Sequence, residues 1–117
     1  MGQLEQAQEF FLKAALLAPS HAAIHNDLGT VLKERGKLDE ALTNFRKAIQ
    51  LDPNRAEPHY AIAHYNLGTL LMELGQLTEA KYHLREAHAA NPEHNLAIGN
   101  LGLVLRDLGE LLSLIHI

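Results

Sequence analysis

Eight histidines are the residues of this 117-residue chain with the most obvious chemistry of their own. A metal site needs several such side chains to converge, and His21 with His25 has the i, i+4 spacing that places two imidazoles on one helix face. No Cys, Glu or Asp completes a ligand set beside them, and the chain contains no cysteine at all. His21 falls at the start of an expected helix. His25 and His64 occupy a slot that Ile98 fills one unit further on, so a packing or rim role suits them better than coordination. We expect no metal and no cofactor.

Catalysis is equally short of parts. There is no G-x-S-x-G elbow, P-loop or dinucleotide fingerprint, and the glycines stand singly instead of clustering in a phosphate-cradling loop. Without cysteine there is no thiolate nucleophile or disulfide, which suits a reducing compartment, and we expect a cytoplasmic location. The net charge of -4, with both signs interspersed, argues against a nucleic-acid face, because neutralising phosphates requires clustered Lys and Arg. No apolar run approaches the roughly 20 residues needed to cross a bilayer. The expected segment is therefore not an enzyme and binds neither nucleic acid nor membrane. What remains is a surface, and its position depends on the elements that carry it.

Those elements repeat. Around Leu28–Pro53, a backward step of 34 residues pairs Gly36 with Gly2, Leu38 with Leu4, Ala41 with Ala7, Phe45 with Phe11, Ala48 with Ala14 and Pro53 with Pro19. A forward step of 39 pairs Leu28, Gly29, Gly36, Ala41, Ala48 and Pro53 with Leu67, Gly68, Gly75, Ala80, Ala87 and Pro92. The 34-residue step then resumes at Leu101, Gly102 and Gly109. A period in this range marks a stacked repeat protein with a pair of helices per repeat. Apolar residues at helical spacing, single glycines and Asp-Pro or Ala-Pro turns predict helices near residues 3–17, 21–35, 38–51, 57–74, 77–90 and 94–108. Gly29, Ala41 and Ala48 are small side chains that let two helices of a pair approach closely.

The five added residues lie in HYAIAHYNLG, residues 59–68, where His59–Ala63 is echoed by His64–Gly68. Nothing from Tyr60 to Leu67 breaks a helix, so one long helix is expected, with a loop as the alternative. Five residues turn a helix about 140° beyond a full turn, so the two copies cannot face the same way. The second copy is contiguous with Leu70, Leu71 and Leu74 and should be buried, leaving the first to overhang.

The landmarks Leu28, Gly29, Gly36, Ala41, Phe45, Ala48 and Pro53 resemble those of the tetratricopeptide repeat family, and the resemblance covers residues 2–111. It implies an all-α, open right-handed superhelical solenoid of antiparallel helix pairs, about three repeat-equivalents long. The second half of a repeat spans 2–21, full repeats span 22–55 and 56–94, and the first half of another spans 95–111. Residues 112–117, LSLIHI, break the periodicity and look like a translated sequencing-adapter scar.

The resemblance also implies that the first helices of successive units line a concave binding groove. Its candidates are Asn26, Thr30 and Lys33, then Tyr65, Thr69 and Met72, then Leu103 and Arg106, with Asp27, Asn66 and Asn100 beside them, one per unit. Asn66 and Asn100 resemble the asparagine row of O-linked N-acetylglucosamine transferases and related bacterial repeat proteins, which holds the backbone of an extended peptide. An amide both donates and accepts; Asp27, which departs from the row, can only accept. Ala23, Ile62 and Leu96 stand where a carboxylate clamp would need basic groups, which disfavours binding of chaperone tails. The expected function is a scaffold for a protein or extended peptide. The alternatives are the substrate-presenting arm of a larger enzyme such as a glycosyltransferase, or a module that self-associates through unsealed solenoid ends.

Overall fold

A computed structural model of the chain describes residues 2–109 and contains, among them, six α-helices and no strand. These are α1 (Gly2–Leu17), α2 (Ala22–Glu34), α3 (Leu38–Leu51), α4 (Pro58–Glu73), α5 (Leu77–Ala90) and α6 (Asn95–Asp107). The expected all-α repeat is present, with element limits within a residue of those expected. The suspected scar, 112–117, lies outside the described residues. No described helix is long and apolar enough to cross a membrane.

The chain divides into two compact units, Met1–Asn54 and Arg55–Ile117. In the first, α2 packs against both α1 and α3; in the second, α5 packs against both α4 and α6, and α4 also touches α6. The core of the first unit is Leu28, Leu32, Ala41, Phe45 and Ala48. The second buries Leu67, Leu70, Leu71, Ala80, Leu84, Ala87, Leu101 and Leu105. On α1, Phe10, Leu12, Leu16 and Leu17 are exposed.

The helices are shaped more by their ends and stripes than by side-chain caps. His21, Lys37, Glu57 and Gln76 precede helices without capping them, whereas His94 Nδ1 accepts from the Ala97 amide at 3.0 Å. The stops are glycines: Gly36 at φ +79° and Gly75 at φ +81° take the left-handed conformation. Lys37 N–H then reaches the Leu32 carbonyl at 2.8 Å and Gln76 N–H the Leu71 carbonyl at 2.9 Å, satisfying acceptors left over at the helix C-terminus.

Residues 59–68 form continuous helix, not a loop, although the added length is shared with the connection before α4. Compared with α2, α4 is three residues longer, and the connection before it (Asp52–Glu57) is two residues longer than the one before α2 (Ala18–His21). Pro58 opens α4, where its missing N–H breaks no helical bond. Leu67 and Gly68 of the second copy are buried against α5, as expected. The first copy departs from expectation, because only His59 and Ile62 are exposed while Tyr60, Ala61 and Ala63 are buried. Tyr60 is long enough to reach back to α5, where its hydroxyl donates to Glu86 Oε1 at 2.6 Å. The added turn is thus fastened down at its aromatic residue.

Candidate functional site

The residues expected to line a binding face lie on α2, α4 and α6, the first helix of each pair. On α2, spacings of 3 and 4 place Asn26, Thr30 and Lys33 along one stripe, with Asp27 beside it. Asp27 and Thr30 are exposed and Lys33 is half-buried. Asn26 differs from them at 5% exposure, and its main-chain carbonyl accepts from Thr30 Oγ1 at 3.1 Å.

On α4, Tyr65, Asn66, Thr69 and Met72 are all half-buried; on α6, Asn100 is half-buried while Leu103 and Arg106 are exposed. The structure brings members of these two helices into contact. Asn100 Nδ2 donates to Thr69 Oγ1 at 3.2 Å, and the Tyr65 ring lies 4.6 Å from that of His94, the residue before α6, at 47°. Arg106 is held along its own helix end by Asp107, 3.3 Å away. The α4–α6 side of this unit therefore carries an aromatic ring, an amide–hydroxyl pair and an exposed leucine. Such a surface can offer hydrogen bonds and apolar contact to a polypeptide.

Two clusters escaped sequence reasoning. In the first, Glu86 of α5 accepts from Tyr60 OH at 2.6 Å and from Arg55 Nη2 at 2.7 Å and 2.9 Å on its two oxygens. The Tyr60 hydrogen bond, outweighing burial and helped by Arg55, holds the Glu86 carboxyl below its usual range; burial and Glu86 push the Tyr60 phenol up. In the second, His64 Nδ1 lies 2.9 Å from His83 Nδ1, and His83 Nε2 lies 3.5 Å from Glu79. Burial, reinforced by His83, lowers His64 to about 4. The one available signal was positional, since His83 falls 39 residues after Asn44, the partner of His25. Among the described residues no three His, Asp or Glu side chains converge in a geometry that could hold a metal ion.

Beside the α4 start, Arg55, Pro58, Ala61, Ile62, Ala90 and His94 line a recess of about 310 Å³. Its polar edge is already engaged, because Arg55 is bound to Glu86 and the His94 side chain takes the Ala97 amide.

A model of the tetratricopeptide repeat matches residues 20–93, and a second model of the same repeat matches residues 1–21. The fold is similar to a crystal structure of MamA, with a TM-score of 0.84 and 24% identity over 98% of this chain and 64% of that one. It is also similar to the first repeat domain of Spaghetti (RPAP3) bound to an HSP90 peptide, with a TM-score of 0.83 and 20% identity over 92% of this chain and 82% of that one. An O-GlcNAc transferase of Thermobaculum terrenum matches with a TM-score of 0.77 and 29% identity, over 89% of this chain and 19% of that one. The chain thus spans less than two thirds of the MamA and transferase chains. No curated protein matches it significantly.

Proposed function

Because the chain belongs to the tetratricopeptide repeat family, and is thereby a protein-interaction scaffold, we propose that it holds an extended peptide segment on the face formed by α4 and α6. The observation that carries this reading is the Asn100–Thr69 hydrogen bond. It takes one amide N–H and fixes the orientation of the group, so that the carbonyl oxygen and second N–H are positioned to meet a peptide unit. Asn66 and Tyr65 add a further amide and an aromatic wall on the neighbouring helix. The α2 residues Asp27, Thr30 and Lys33 form a surface of related chemistry on the other unit. The HSP90 peptide bound to the Spaghetti repeat domain supports the class of ligand, since that domain shares this fold. In this chain the apolar Ala23, Ile62 and Leu96 favour a segment held by its backbone over one held by a terminal carboxylate.

A second reading draws on the likeness to the O-GlcNAc transferase. The same face would then present polypeptide substrates to a catalytic domain carried elsewhere in a longer protein, with no chemistry performed by these repeats.

The test is a screen of extended peptides followed by Asn66→Ala with Asn100→Ala. Binding of a selected peptide should weaken by roughly 1 to 3 kcal/mol if two net hydrogen bonds are lost, while the circular-dichroism spectrum is retained. Unchanged affinity in the double variant would assign these amides to the rim and overturn the proposed hold on the peptide backbone.

A further inference from the structure

The two units use one pair of slots in different ways. His25 of α2 and His64 of α4 are equivalent positions, and the residues facing them are Asn44 of α3 and His83 of α5. In the first unit, His25 Nδ1 lies 3.3 Å from Asn44 Oδ1 and Nε2 lies 3.0 Å from the Pro19 carbonyl oxygen. Both nitrogens face oxygen acceptors, so a doubly protonated ring donates on both sides. In the second unit, His64 Nδ1 faces a nitrogen of another imidazole, and His64 Nε2 is buried without a hydrogen-bond partner.

That difference decides what a proton does. Between two imidazoles one nitrogen must donate and the other accept, so at least one ring is neutral. If His64 takes the extra proton, its Nε2 becomes a buried donor with no acceptor. If His83 takes it, both His83 nitrogens donate, His64 Nδ1 must accept, and the remaining proton of His64 again sits on the unpartnered Nε2. Either route puts a charge and an orphaned N–H into a site where His64 is 2% exposed.

The surroundings relieve this only in part, because Glu79 can pair with a protonated His83 but nothing reaches His64 Nε2. From α4, the Tyr60 ring lies 4.3 Å from His64; from α5, the Tyr82 ring lies 6.3 Å away and Glu79 stands beside His83. Glu86, the carboxylate that favours a charged His64, is occupied by Tyr60 and Arg55, and Arg55 opposes the proton. On α6, Arg106 and Asp107 pair with each other at the far end of the helix.

We propose that the His64–His83 contact is an acid-sensitive latch: mild acid loosens the α4–α5 helix pair, while the α2–α3 pair, joined by His25 and Asn44, stays closed. His64 is held at about 4, below the ordinary 6.5, so the unfolded chain takes up its proton first. The latch contributes fully above pH 6.5 and is lost as the pH falls from there toward 4.

The experiment is amide hydrogen exchange by NMR on the intact chain at pH 7.2 and 5.2, compared as protection factors. Amides of α4 and α5 should lose on the order of tenfold more protection than those of α2 and α3. His83→Asn, which gives His64 Nδ1 an amide oxygen to donate to but leaves Nε2 without an acceptor, should narrow that difference without abolishing it. The imidazole of His64 in the unsubstituted chain should titrate with a midpoint below 5, a reading that does not depend on how the variant folds. Equal loss of protection in both helix pairs, or a His64 midpoint near 6.5, would overturn the proposal.

Discussion

Gly29 lies so close to Phe45 that a Cβ added to it would stand 2.6 Å from Phe45 Cε1 and 2.7 Å from Cδ1. The ring cannot move aside freely, because Phe45 is 1% exposed in the middle of the α2–α3 pair. Gly68 stands in the same relation to Leu84, whose Cγ would be 2.9 Å from an added Cβ. Replacing a helical glycine by alanine gains up to about 1 kcal/mol of helix propensity, against about 1 to 3 kcal/mol for overpacking. Gly29→Leu should therefore destabilise by about 3 kcal/mol and Gly29→Ala by less, read as shifts in urea midpoint. A stabilised Gly29→Leu would show that the two helices separate easily.

Gly99 provides the contrast. It lies in α6 with nothing within 4 Å of an added Cβ. With no neighbour to displace, only the propensity gain remains. Gly99→Ala should raise stability by up to about 1 kcal/mol, and a fall in thermal midpoint would reveal an unsuspected contact at that face.

Leu71 is completely buried between α4 and its neighbours. Leu71→Ala removes that volume from a closely packed seam and should cost about 2 to 5 kcal/mol. A loss under 1 kcal/mol in denaturant unfolding would mean that the seam collapses around the missing side chain.

The Glu86 cluster should respond unequally to its members. Glu86→Ala leaves the buried Tyr60 hydroxyl without its acceptor and should cost about 1 to 3 kcal/mol. Arg55→Ala should cost much less than Glu86→Ala, because the arginine side chain is 60% exposed and water screens its ion pair. The Glu86 contribution has the sign of a depressed carboxyl. It is present above the ordinary carboxylate range and disappears as the pH falls through it, so stability of Glu86→Ala should depend less on acid than that of the parent. Equal losses for the two substitutions in chemical denaturation would refute this ranking.

Most of the architecture was legible because it rests on local rules that recur. Gly36 and Gly75 recur at a fixed offset because a left-handed residue is needed where each first helix stops, and glycine takes that conformation without a Cβ penalty. The small residues Gly29, Ala41 and Ala48 mark where helices touch, and the absence of a breaker between Tyr60 and Leu67 was enough to make α4 continuous. The α4 and α6 positions proposed to meet a peptide followed from the family resemblance, while periodicity places Thr69 and Asn100 on the first helices of successive repeats.

Side-chain partnerships between helices were decided only in three dimensions. Periodicity places a residue on a face, but the rotation of α4 about its axis, set by how three added residues enter the helix and two enter the loop, determines which neighbour it meets. Tyr60 therefore reached Glu86 instead of overhanging, whereas His64 met His83 in the same slot in which its counterpart His25 met Asn44. Asn26 was expected on the binding stripe yet is buried. The repeat, its helices and their packing faces were written in the spacing of residues along the chain. The buried histidine pair and the Glu86 cluster arose from contacts a few ångströms across between residues 19 to 31 positions apart, which no local rule constrains.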